Sequence, residues 1–247
     1  MTQRVALVTG AMGGLGSAIC QSLAKAGHKV VAAYHPQFDN KEEWLKEQEA
    51  AGFKDFVTVA GDVADLASVE AMVAEAVEKA GPIDILVNNA GITRDKMFAK
   101  MELAQWDAVI STNLTSLFNL TKQVSAKMAE RGWGRIINIS SVNGVKGQAG
   151  QTNYSAAKAG VIGFTKALAQ ELAAKGVTVN AITPGYVATK MVMAIREDVL
   201  QGIVDSVPMK RLAKPEEIGF AVTFLADELS GFTTGATLNI NGGLYFQ

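Results

Sequence analysis

A tyrosine and a lysine four residues apart are the side chains in this sequence best suited to moving a proton. In a helix, Tyr154 and Lys158 leave the same face and can reach one bound molecule. An unperturbed phenol titrates at about 10, and a nearby ammonium favours the phenolate and lowers that pKa. This spacing is common by chance and by itself indicates an ordinary surface helix pair, so the acid/base interpretation depends on Ser141, thirteen residues before Tyr154.

A glycine-rich turn near the N-terminus offers a place for a phosphate group. Four glycines lie within residues 10–16, directly after a predicted strand and before an apolar helical segment. Glycines let the backbone approach a pyrophosphate, which the free N–H groups of the next helix then hold. A plain strand–helix turn needs fewer glycines, so the turn favours a dinucleotide ligand, although the strict G-x-G-x-x-G spacing fails because Ile19 takes the place of the last glycine.

The spacing T-G-x-x-x-G-x-G at residues 9–16 resembles the short-chain dehydrogenase/reductase family. Further strings agree with that family at residues 62–63, 88–91 and 184–189, and the likeness continues to Asn241-Gly242-Gly243. The resemblance implies a nicotinamide-dependent oxidoreductase built as a doubly wound Rossmann fold. We expect one such domain over residues 1–247.

The resemblance also implies a catalytic set, made of Asn113, Ser141, Tyr154 and Lys158. Ser141, thirteen residues before Tyr154, would hold the substrate carbonyl, while the neighbouring Ser140 is one residue too far away. Tyr154 would give the proton, and Asn113 would anchor a water in the proton relay. Taken alone, Asn113 would be interpreted as a helix asparagine bonded to a neighbouring carbonyl.

By the same resemblance, the cofactor is bound by residues that follow the predicted strands, together with the Tyr154–Lys158 pair. They are Gly10, Met12, Gly13, Gly14, Leu15, Gly16, Tyr34, His35, Gly61, Asp62, Val63, Asn89, Ala90, Gly91, Pro184, Gly185, Val187 and Thr189. For Asp62 the resemblance implies an adenine contact. The alternative for Asp62 is a helix N-cap, which aspartate also favours.

The choice between NADPH and NADH depends on the end of the second predicted strand. An acid there normally bonds the ribose hydroxyls and repels a 2′-phosphate, but this sequence has Tyr34. His35 and Lys41 add modest positive charge, which Asp39 partly offsets. We therefore expect a nearly even choice, with NADPH slightly favoured.

Local strings are similar to those of acetoacetyl-CoA reductases of polyhydroxybutyrate synthesis, within the group that includes 3-oxoacyl-carrier-protein reductases. The strings occupy residues 91–95, 131–135, 141–144 and 147–154. That likeness implies reduction of acetoacetyl-CoA to (R)-3-hydroxybutyryl-CoA. It also implies an acyl pocket lined by Asp95, Gln148, Gln151 and Tyr186.

The sequence departs from that subfamily at two places, and two alternative functions remain open. Ala149 is smaller than the bulky residue expected in that subfamily, and the basic pair expected near residues 40–41 is reduced to Lys41. A 3-oxoacyl-carrier-protein reductase is the enzymatic alternative, and a catalytically silent dinucleotide-binding scaffold is the non-enzymatic one. Without the resemblance, the two glutamines of the acyl pocket would indicate a solvated loop.

Short β-branched runs alternate with amphipathic helical segments throughout the chain. Strands are predicted at residues 5–8, 30–33, 56–59, 85–87, 136–139, 177–180 and 238–240, and helices include residues 66–79 and 103–131. This alternation predicts a seven-stranded parallel sheet with helices on both faces. Residues 186–207 form the least regular stretch, which we expect to be a mobile flap over a pocket.

Composition narrows the function further. The 247 residues are 49% hydrophobic with a net charge of -1, which argues against a nucleic-acid partner. No apolar run reaches the length of a membrane span and no signal peptide is recognisable, so we expect a cytoplasmic protein. The single Cys20 predicts a buried packing role without a disulfide, and His28 and His35 lack the spacing of a metal site.

Small residues are concentrated in residues 156–164, around Lys158. They predict close helix–helix contact between subunits, and the family resemblance implies a homotetramer formed through this helix and the preceding long one. Tight packing of the helix on its own sheet is the alternative.

Overall fold

A seven-stranded parallel sheet carries both the N-terminal and the C-terminal half of the chain. The computed structural model describes residues 3–38 and 40–246. The strands are β1 (Val5–Thr9), β2 (Lys29–Tyr34), β3 (Val57–Ala60), β4 (Ile85–Asn88), β5 (Gly134–Ile139), β6 (Val177–Pro184) and β7 (Thr237–Ile240). Their order is β3-β2-β1-β4-β5-β6-β7, and every neighbouring pair is parallel. The seven predicted strands and the doubly wound Rossmann arrangement are confirmed.

Helices cover both faces of this sheet. The helices are α1 (Gly14–Lys25), α2 (Lys41–Ala50), α3 (Leu66–Ala80), α4 (Leu103–Ile110), α5 (Ser116–Glu130), α6 (Asn143–Lys146), α7 (Thr152–Leu172), α8 (Lys190–Met193), α9 (Glu197–Ser206) and α10 (Pro215–Ala226). One core cluster joins the sheet to α1, α2 and α10, and a second joins it to α3, α5 and α7. Cys20 lies fully buried in the first cluster, as predicted.

The chain reverses direction across the sheet between β1 and β4. From β1 it moves outward to β2 and β3, then returns to pair β4 with the other side of β1. The loops that follow β1 and β4 therefore lead to opposite faces, which opens a crevice at their carboxyl ends. This switch point is where ligands bind in open α/β sheets.

Two segments differ from their predictions. The single helix predicted over residues 103–131 is divided by a π-helical turn, Ser111–Thr115. The Asn113 side chain of that turn donates to the Val109 carbonyl of α4, and the Ser116 hydroxyl at the start of α5 donates to the Thr112 carbonyl. The stretch predicted to be least regular, residues 186–207, contains two helices, α8 and α9, neither of which has a buried residue.

Among the residues that the structure describes, no helix is long and apolar enough to cross a lipid bilayer.

Candidate active site

The glycine-rich turn joins the end of β1 to the start of α1. Gly10, Met12 and Gly13 lie in the turn, and Gly14, Leu15 and Gly16 form the first turn of the helix. No side chain caps α1, so the backbone N–H groups of that first helical turn have no partner within the helix. They form a ready site for an anion.

Packing explains why glycine is needed at specific positions of this turn. Gly10 has φ +61°, and a Cβ there would lie 2.9 Å from the Ala90 Cα. A Cβ on Gly16 would lie 2.1 Å from the Gly10 carbonyl oxygen, whereas one on Gly13 would meet a single atom at 3.5 Å. Gly10 and Gly16 therefore allow backbone segments to pack closely together, whereas the backbone at Gly13 borders open space.

Across the crevice, Thr189 faces the same turn. A Cβ on Gly14 would come within 3.1 Å of the Thr189 Cβ, and Met12, Gly14 and Thr189 all line one cavity of about 410 Å³. The uncapped helix and the open space at Gly13 fit the pyrophosphate of a dinucleotide.

Polar contacts fix the loops that leave β1 and β4. The Thr9 hydroxyl accepts from the backbone N–H groups of Asn89 and Ala90 at 3.0 and 3.1 Å. The Asn89 amide donates back to the carbonyls of Thr9 and Gly10. Asn89 and Ala90 therefore line the switch point in a fixed position beside the glycine-rich turn.

The residues expected to meet the adenosine end lie after β2 and β3. Tyr34 is the last residue of β2, and its carbonyl accepts from the Gly61 N–H. His35 Nδ1 accepts from the Gln37 N–H, and its Nε2 lies 3.6 Å from the Asp62 carboxylate.

The alternative role of Asp62 as a helix N-cap is wrong, because the cap of α3 is Asp65, which accepts from the Ser68 N–H at 3.0 Å. Asp62 instead accepts from the Ala64 N–H and turns towards His35. The following Val63 is buried, and its carbonyl accepts from the Asn119 side chain. Lys41 begins α2, whereas Asp39 lies outside the described residues.

Asn113 lies at the centre of the π-helical turn and is fully buried. Its amide nitrogen donates to the carbonyls of Ile92 and Val109, and its Oδ1 accepts from the Ile92 N–H at 3.2 Å. The bond to Val109 is the helix interaction that the sequence offered as the alternative. A Cβ on Gly91 would lie 2.5 Å from Asn113 Oδ1 and 3.6 Å from Lys158 Nζ, so Gly91 keeps the space between these two groups open.

Lys158 is buried inside α7 with 4% of its surface exposed. Its ammonium donates to the Ile139 carbonyl at 2.8 Å, and burial lowers its pKa from 10.5 to about 8. The Nζ atom lies 5.7 Å from the centre of the Tyr154 ring. The predicted meeting of these two side chains on one helix face is therefore seen in the structure.

The pKa of Tyr154 is not lowered overall, as was expected from the nearby Lys158, but raised. Burial raises the pKa of Tyr154 above its usual 10, a hydrogen bond with the Ser141 hydroxyl lowers it in part, and the Asp95 charge adds to the rise. Desolvation of the phenolate outweighs its stabilisation in this pocket. Tyr154 consequently keeps its proton at neutral pH.

The structure also separates the two adjacent serines. The Ser140 hydroxyl donates to the Lys158 carbonyl at 2.7 Å and is buried, so it is committed to holding α7. The Ser141 hydroxyl accepts from the Asn143 N–H at 3.1 Å, which leaves its own proton free to donate. Ser141, rather than Ser140, is the serine available beside Tyr154.

Two of the four predicted substrate residues lie together. Gln151 donates to the Asp95 carboxylate at 2.7 Å and accepts from the Asn143 amide at 2.9 Å. Gln148 instead accepts from the Lys146 ammonium and is exposed. Tyr186 lines a separate cavity at the ends of β6 and β7.

The segment after β6 runs along the carboxyl edge of the sheet. Pro184 is the last residue of β6, and its carbonyl accepts from the Val142 N–H next to Ser141. The Gly185 N–H donates to the Ile240 carbonyl, Val187 is buried, and Thr189 caps α8.

Sequence reasoning missed two residues that position the tyrosine and lysine. Asn153 is fully buried and donates to the carbonyls of Arg94 and Gln105, which ties the start of α7 to the loop after β4 and to α4. A Cβ on Gly144 would lie 2.7 Å from the Lys158 carbonyl carbon, so α6 packs closely on α7 only because this residue is glycine. The place of Asn153 directly before Tyr154 was the available signal.

In the described part of the chain, no group of three or more histidine, cysteine, aspartate or glutamate side chains is arranged to hold a metal ion.

Comparisons with known proteins cover nearly the whole chain. The short chain dehydrogenase family matches residues 4–200. A relative named nodulation protein G, from Azospirillum brasilense, is 72% identical over 100% of both chains. An acetoacetyl-CoA reductase from Cupriavidus necator is 60% identical over 99% of both chains. A 3-oxoacyl-[acyl-carrier-protein] reductase from Escherichia coli is 43% identical over 98% of this chain and 97% of the relative.

Proposed function

The chain belongs to the short-chain dehydrogenase family, and on this premise we propose that it reduces acetoacetyl-CoA to (R)-3-hydroxybutyryl-CoA with a nicotinamide cofactor. Six relatives between 52% and 60% identical over almost their full length are acetoacetyl-CoA reductases. The enzyme is an oxidoreductase, and its substrate is a 3-oxoacyl thioester.

The observation that carries this proposal is the set of three polar groups around one point. The Ser141 hydroxyl is near enough to Tyr154 to lower its pKa in part, and the buried Lys158 ammonium lies 5.7 Å from the centre of the Tyr154 ring. Ser141 donates to the substrate carbonyl oxygen and orients it. Tyr154, which holds its proton at neutral pH, passes that proton to the same oxygen as it becomes an alkoxide.

A bound nicotinamide supplies the hydride that the carbonyl carbon receives. The uncapped N-terminus of α1, with Gly14 and Leu15, would hold the pyrophosphate, and Asp62 would contact the adenine. Pro184, Gly185, Val187 and Thr189 would line the nicotinamide end. NADPH remains slightly favoured over NADH, because Tyr34 ends β2 where an acid would repel a 2′-phosphate.

Lys158 and Asn113 complete the proton path. The Lys158 ammonium stabilises the phenolate that forms when Tyr154 gives up its proton. Asn113 Oδ1 has a second lone pair available, and Gly91 keeps open the space between that oxygen and the lysine. A water in this space would return a proton to Tyr154 after each turnover.

The acyl thioester occupies the carboxyl edge of the sheet beside Ser141. Asp95 and Gln151, which are already hydrogen-bonded to one another, form one wall of this site. Helices α8 and α9 form a flap over this site. Lys190 of α8 forms an exposed ion pair with Glu47 of α2 at 2.8 Å.

Reduction of 3-oxoacyl groups on acyl carrier protein is the second candidate. The Escherichia coli relative that carries this name covers 98% of the chain at 43% identity. The chemistry at Tyr154 would be the same, and only the carrier of the thioester would differ.

We also propose that the protein is a homotetramer in the cytoplasm. On α7 the small residues Ala156, Ala159 and Gly163 are exposed, and a Cβ on Gly163 would meet no atom within 4 Å. Phe118 on α5 exposes 53% of its surface. This combination suits helix pairing between subunits better than packing on the chain's own sheet.

Replacing Tyr154 with phenylalanine tests the mechanism. We expect kcat/KM for acetoacetyl-CoA to fall about 1000-fold because the proton donor is removed, with the Kd of the dinucleotide changed by less than about twofold. The measurement is steady-state reduction with each cofactor, paired with a binding titration. Full activity in Tyr154→Phe, or no activity in the unchanged enzyme, would refute the proposal and favour the binding scaffold.

The carrier is tested separately with the unchanged enzyme. A higher kcat/KM for acetoacetyl-acyl carrier protein than for acetoacetyl-CoA would make the second candidate the correct one.

A further inference from the structure

Three polar side chains near the catalytic serine are joined in a row by hydrogen bonds. The Asn143 amide nitrogen donates to Gln151 Oε1 at 2.9 Å, and the Gln151 amide nitrogen donates to the Asp95 carboxylate at 2.7 Å. We call Asp95, Gln151 and Asn143 the polar chain. Its members come from the loop after β4, the residue before α7 and the first residue of α6. The polar chain therefore links three segments that are far apart in sequence.

Asn143 is the member of the polar chain that contacts the catalytic serine. Its backbone N–H donates to the Ser141 hydroxyl oxygen at 3.1 Å, which leaves the hydroxyl proton available for another acceptor. Among the described residues, the hydrogen bond of the Asn143 side chain is to Gln151. The position of the Ser141 oxygen therefore depends on the backbone of Asn143, and the side chain of Asn143 is anchored through Gln151.

The Asp95 carboxylate determines which way the two amides face. An ionised carboxylate can only accept hydrogen bonds, so Gln151 must direct its nitrogen to Asp95 and its oxygen to Asn143. Asn143 must then direct its nitrogen to Gln151. Turning the Asn143 amide over would place two oxygen acceptors about 2.9 Å apart. The orientation of both amides therefore follows from the charge of Asp95.

This orientation leaves the other end of the Asn143 amide without a partner. Asn143 Oδ1 is buried and accepts no hydrogen bond from the part of the chain that the structure describes. A buried acceptor without a partner is destabilising, and such groups are few in folded proteins. An apolar side chain at this position would avoid that destabilisation. Stability of the fold therefore does not explain an asparagine here, whereas the hydrogen bond to Gln151 does.

The carboxylate at one end of the polar chain and the serine at the other both act on Tyr154. Burial raises the pKa of Tyr154, the Ser141 hydroxyl lowers it in part, and the Asp95 charge adds to the rise. The polar chain thus connects the two polar groups that influence the same phenol in opposite directions.

We infer that Asn143 is a positioning residue for Ser141, and that Asp95, acting through Gln151, fixes the direction in which the Asn143 amide faces. The inference rests on the proposed function, because it concerns the serine that orients the substrate carbonyl. It gives Asn143 a role, and it gives Asp95 and Gln151 a second one besides forming a wall of the substrate site.

Moving the charge from one member of the polar chain to the next tests the inference. In Gln151→Glu two carboxylates face each other, so we expect kcat/KM for acetoacetyl-CoA at pH 7 to fall at least about tenfold. Adding Asp95→Asn to that variant lets the new carboxylate accept from an amide on each side, so kcat/KM should return to within about threefold of the original. Asp95→Asn alone should lower it by less than about threefold, because an amide oxygen can still accept from Gln151.

Independent contacts of Asp95 and Gln151 with the substrate would give a different result. Their losses would then add, and the double variant would be no more active than Gln151→Glu. That outcome would overturn the inference.

A second set of variants tests whether Asn143 acts through Ser141. Asn143→Leu keeps the approximate size of the side chain and removes its hydrogen bond to Gln151, and we expect kcat/KM to fall about tenfold. In the Ser141→Ala enzyme the same change should alter the remaining activity by less than about twofold, because the positioned hydroxyl is absent. Equal losses with and without the Ser141 hydroxyl would show a purely structural role and contradict the inference.

Dinucleotide affinity shows whether each variant is folded. The Kd should stay within about twofold throughout. If Asn143→Leu fails this check, the charge exchange between Gln151 and Asp95 decides the question. The matched controls are Gln170→Leu, at an exposed amide near the end of α7, and Asp107→Asn, at an exposed carboxylate of α4. Both should leave kcat/KM and Kd unaltered.

Ethyl acetoacetate, a 3-oxoester without a carrier, separates this inference from the proposed function. Ser141 would hold its carbonyl in the same way, so each variant is assayed on this probe and on acetoacetyl-CoA. Reduction of the probe without reduction of acetoacetyl-CoA would overturn the proposed function alone, and the comparisons among variants on the probe would still decide the role of Asn143. An original enzyme that reduces neither compound would overturn both.

Discussion

Around the glycine-rich turn, space for a ligand exists because glycines have no side chains. Around α7, by contrast, the interior contains buried polar side chains. At Gly16 a single added carbon would lie 2.1 Å from a backbone oxygen. At Asn113, Asn153 and Lys158, amide and ammonium groups are buried and bonded to backbone carbonyls.

The difference shows how each region meets the cost of binding a polar ligand. The cofactor end exposes main-chain donors that need no side chain, so its requirement is steric. The catalytic end removes the charge of Lys158 from water and pairs it with a backbone carbonyl, so its requirement is electrostatic. We therefore expect substitutions in the two regions to change the free energy of unfolding in opposite directions.

The largest effect on stability is expected from Gly16→Ala. Its Cβ would collide with the Gly10 carbonyl and with Ala11, so the backbone of the turn must move. We expect the free energy of unfolding to fall by about 3 kcal/mol and the dinucleotide Kd to rise at least about tenfold. Chemical denaturation and a binding titration measure the two effects.

Gly13→Ala is the control for this comparison, because its Cβ would meet one atom at 3.5 Å. Its unfolding free energy should stay within about 1 kcal/mol of the original, while dinucleotide binding still weakens because the added methyl group enters the open space. Equal destabilisation by the two alanines would show that packing does not explain the glycines.

For Lys158→Met we expect the free energy of unfolding to rise, whereas Gly16→Ala lowers it. Lowering a pKa from 10.5 to about 8 corresponds to roughly 3 kcal/mol of disfavoured charge in the folded state. The hydrogen bond to Ile139 offsets part of that cost. We expect the variant to be more stable at pH 7 by on the order of 1 kcal/mol and to lose at least about 100-fold in kcat/KM.

The pH dependence of stability checks the origin of that gain. Because burial lowers the pKa of Lys158, the unfolded chain binds more protons between pH 8 and 10.5, and the unfolding free energy from this group rises with pH across that window. Below pH 8 both states are protonated and the full cost is present. Lys158→Met should lack this rise, and a variant that is less stable than the original at pH 7 would contradict the explanation.

The same contrast explains what the sequence could predict. The strands and the glycine-rich turn have local signals, namely β-branched runs and glycine spacing, and the structure places them as expected. Asn113 and Ser141 could be assigned only by resemblance, since a buried amide in a π-helical turn has no local signal. The raised pKa of Tyr154 could not be predicted, because it depends on burial by residues distant in sequence.

The smallest changes in stability and in dinucleotide binding are expected from substitutions of two aspartates at the adenosine end. Asp65 caps α3, so Asp65→Ala should cost about 1 kcal/mol of stability and leave the dinucleotide Kd unchanged. Asp62 does not cap the helix and turns its carboxylate towards His35, so Asp62→Ala should weaken dinucleotide binding several-fold with a smaller loss of stability. Thermal unfolding and fluorescence titration distinguish the two. If both variants lose affinity equally, the carboxylate of Asp62 has no separate part in binding, and the adenosine end is held by backbone groups alone, like the glycine-rich turn beside it.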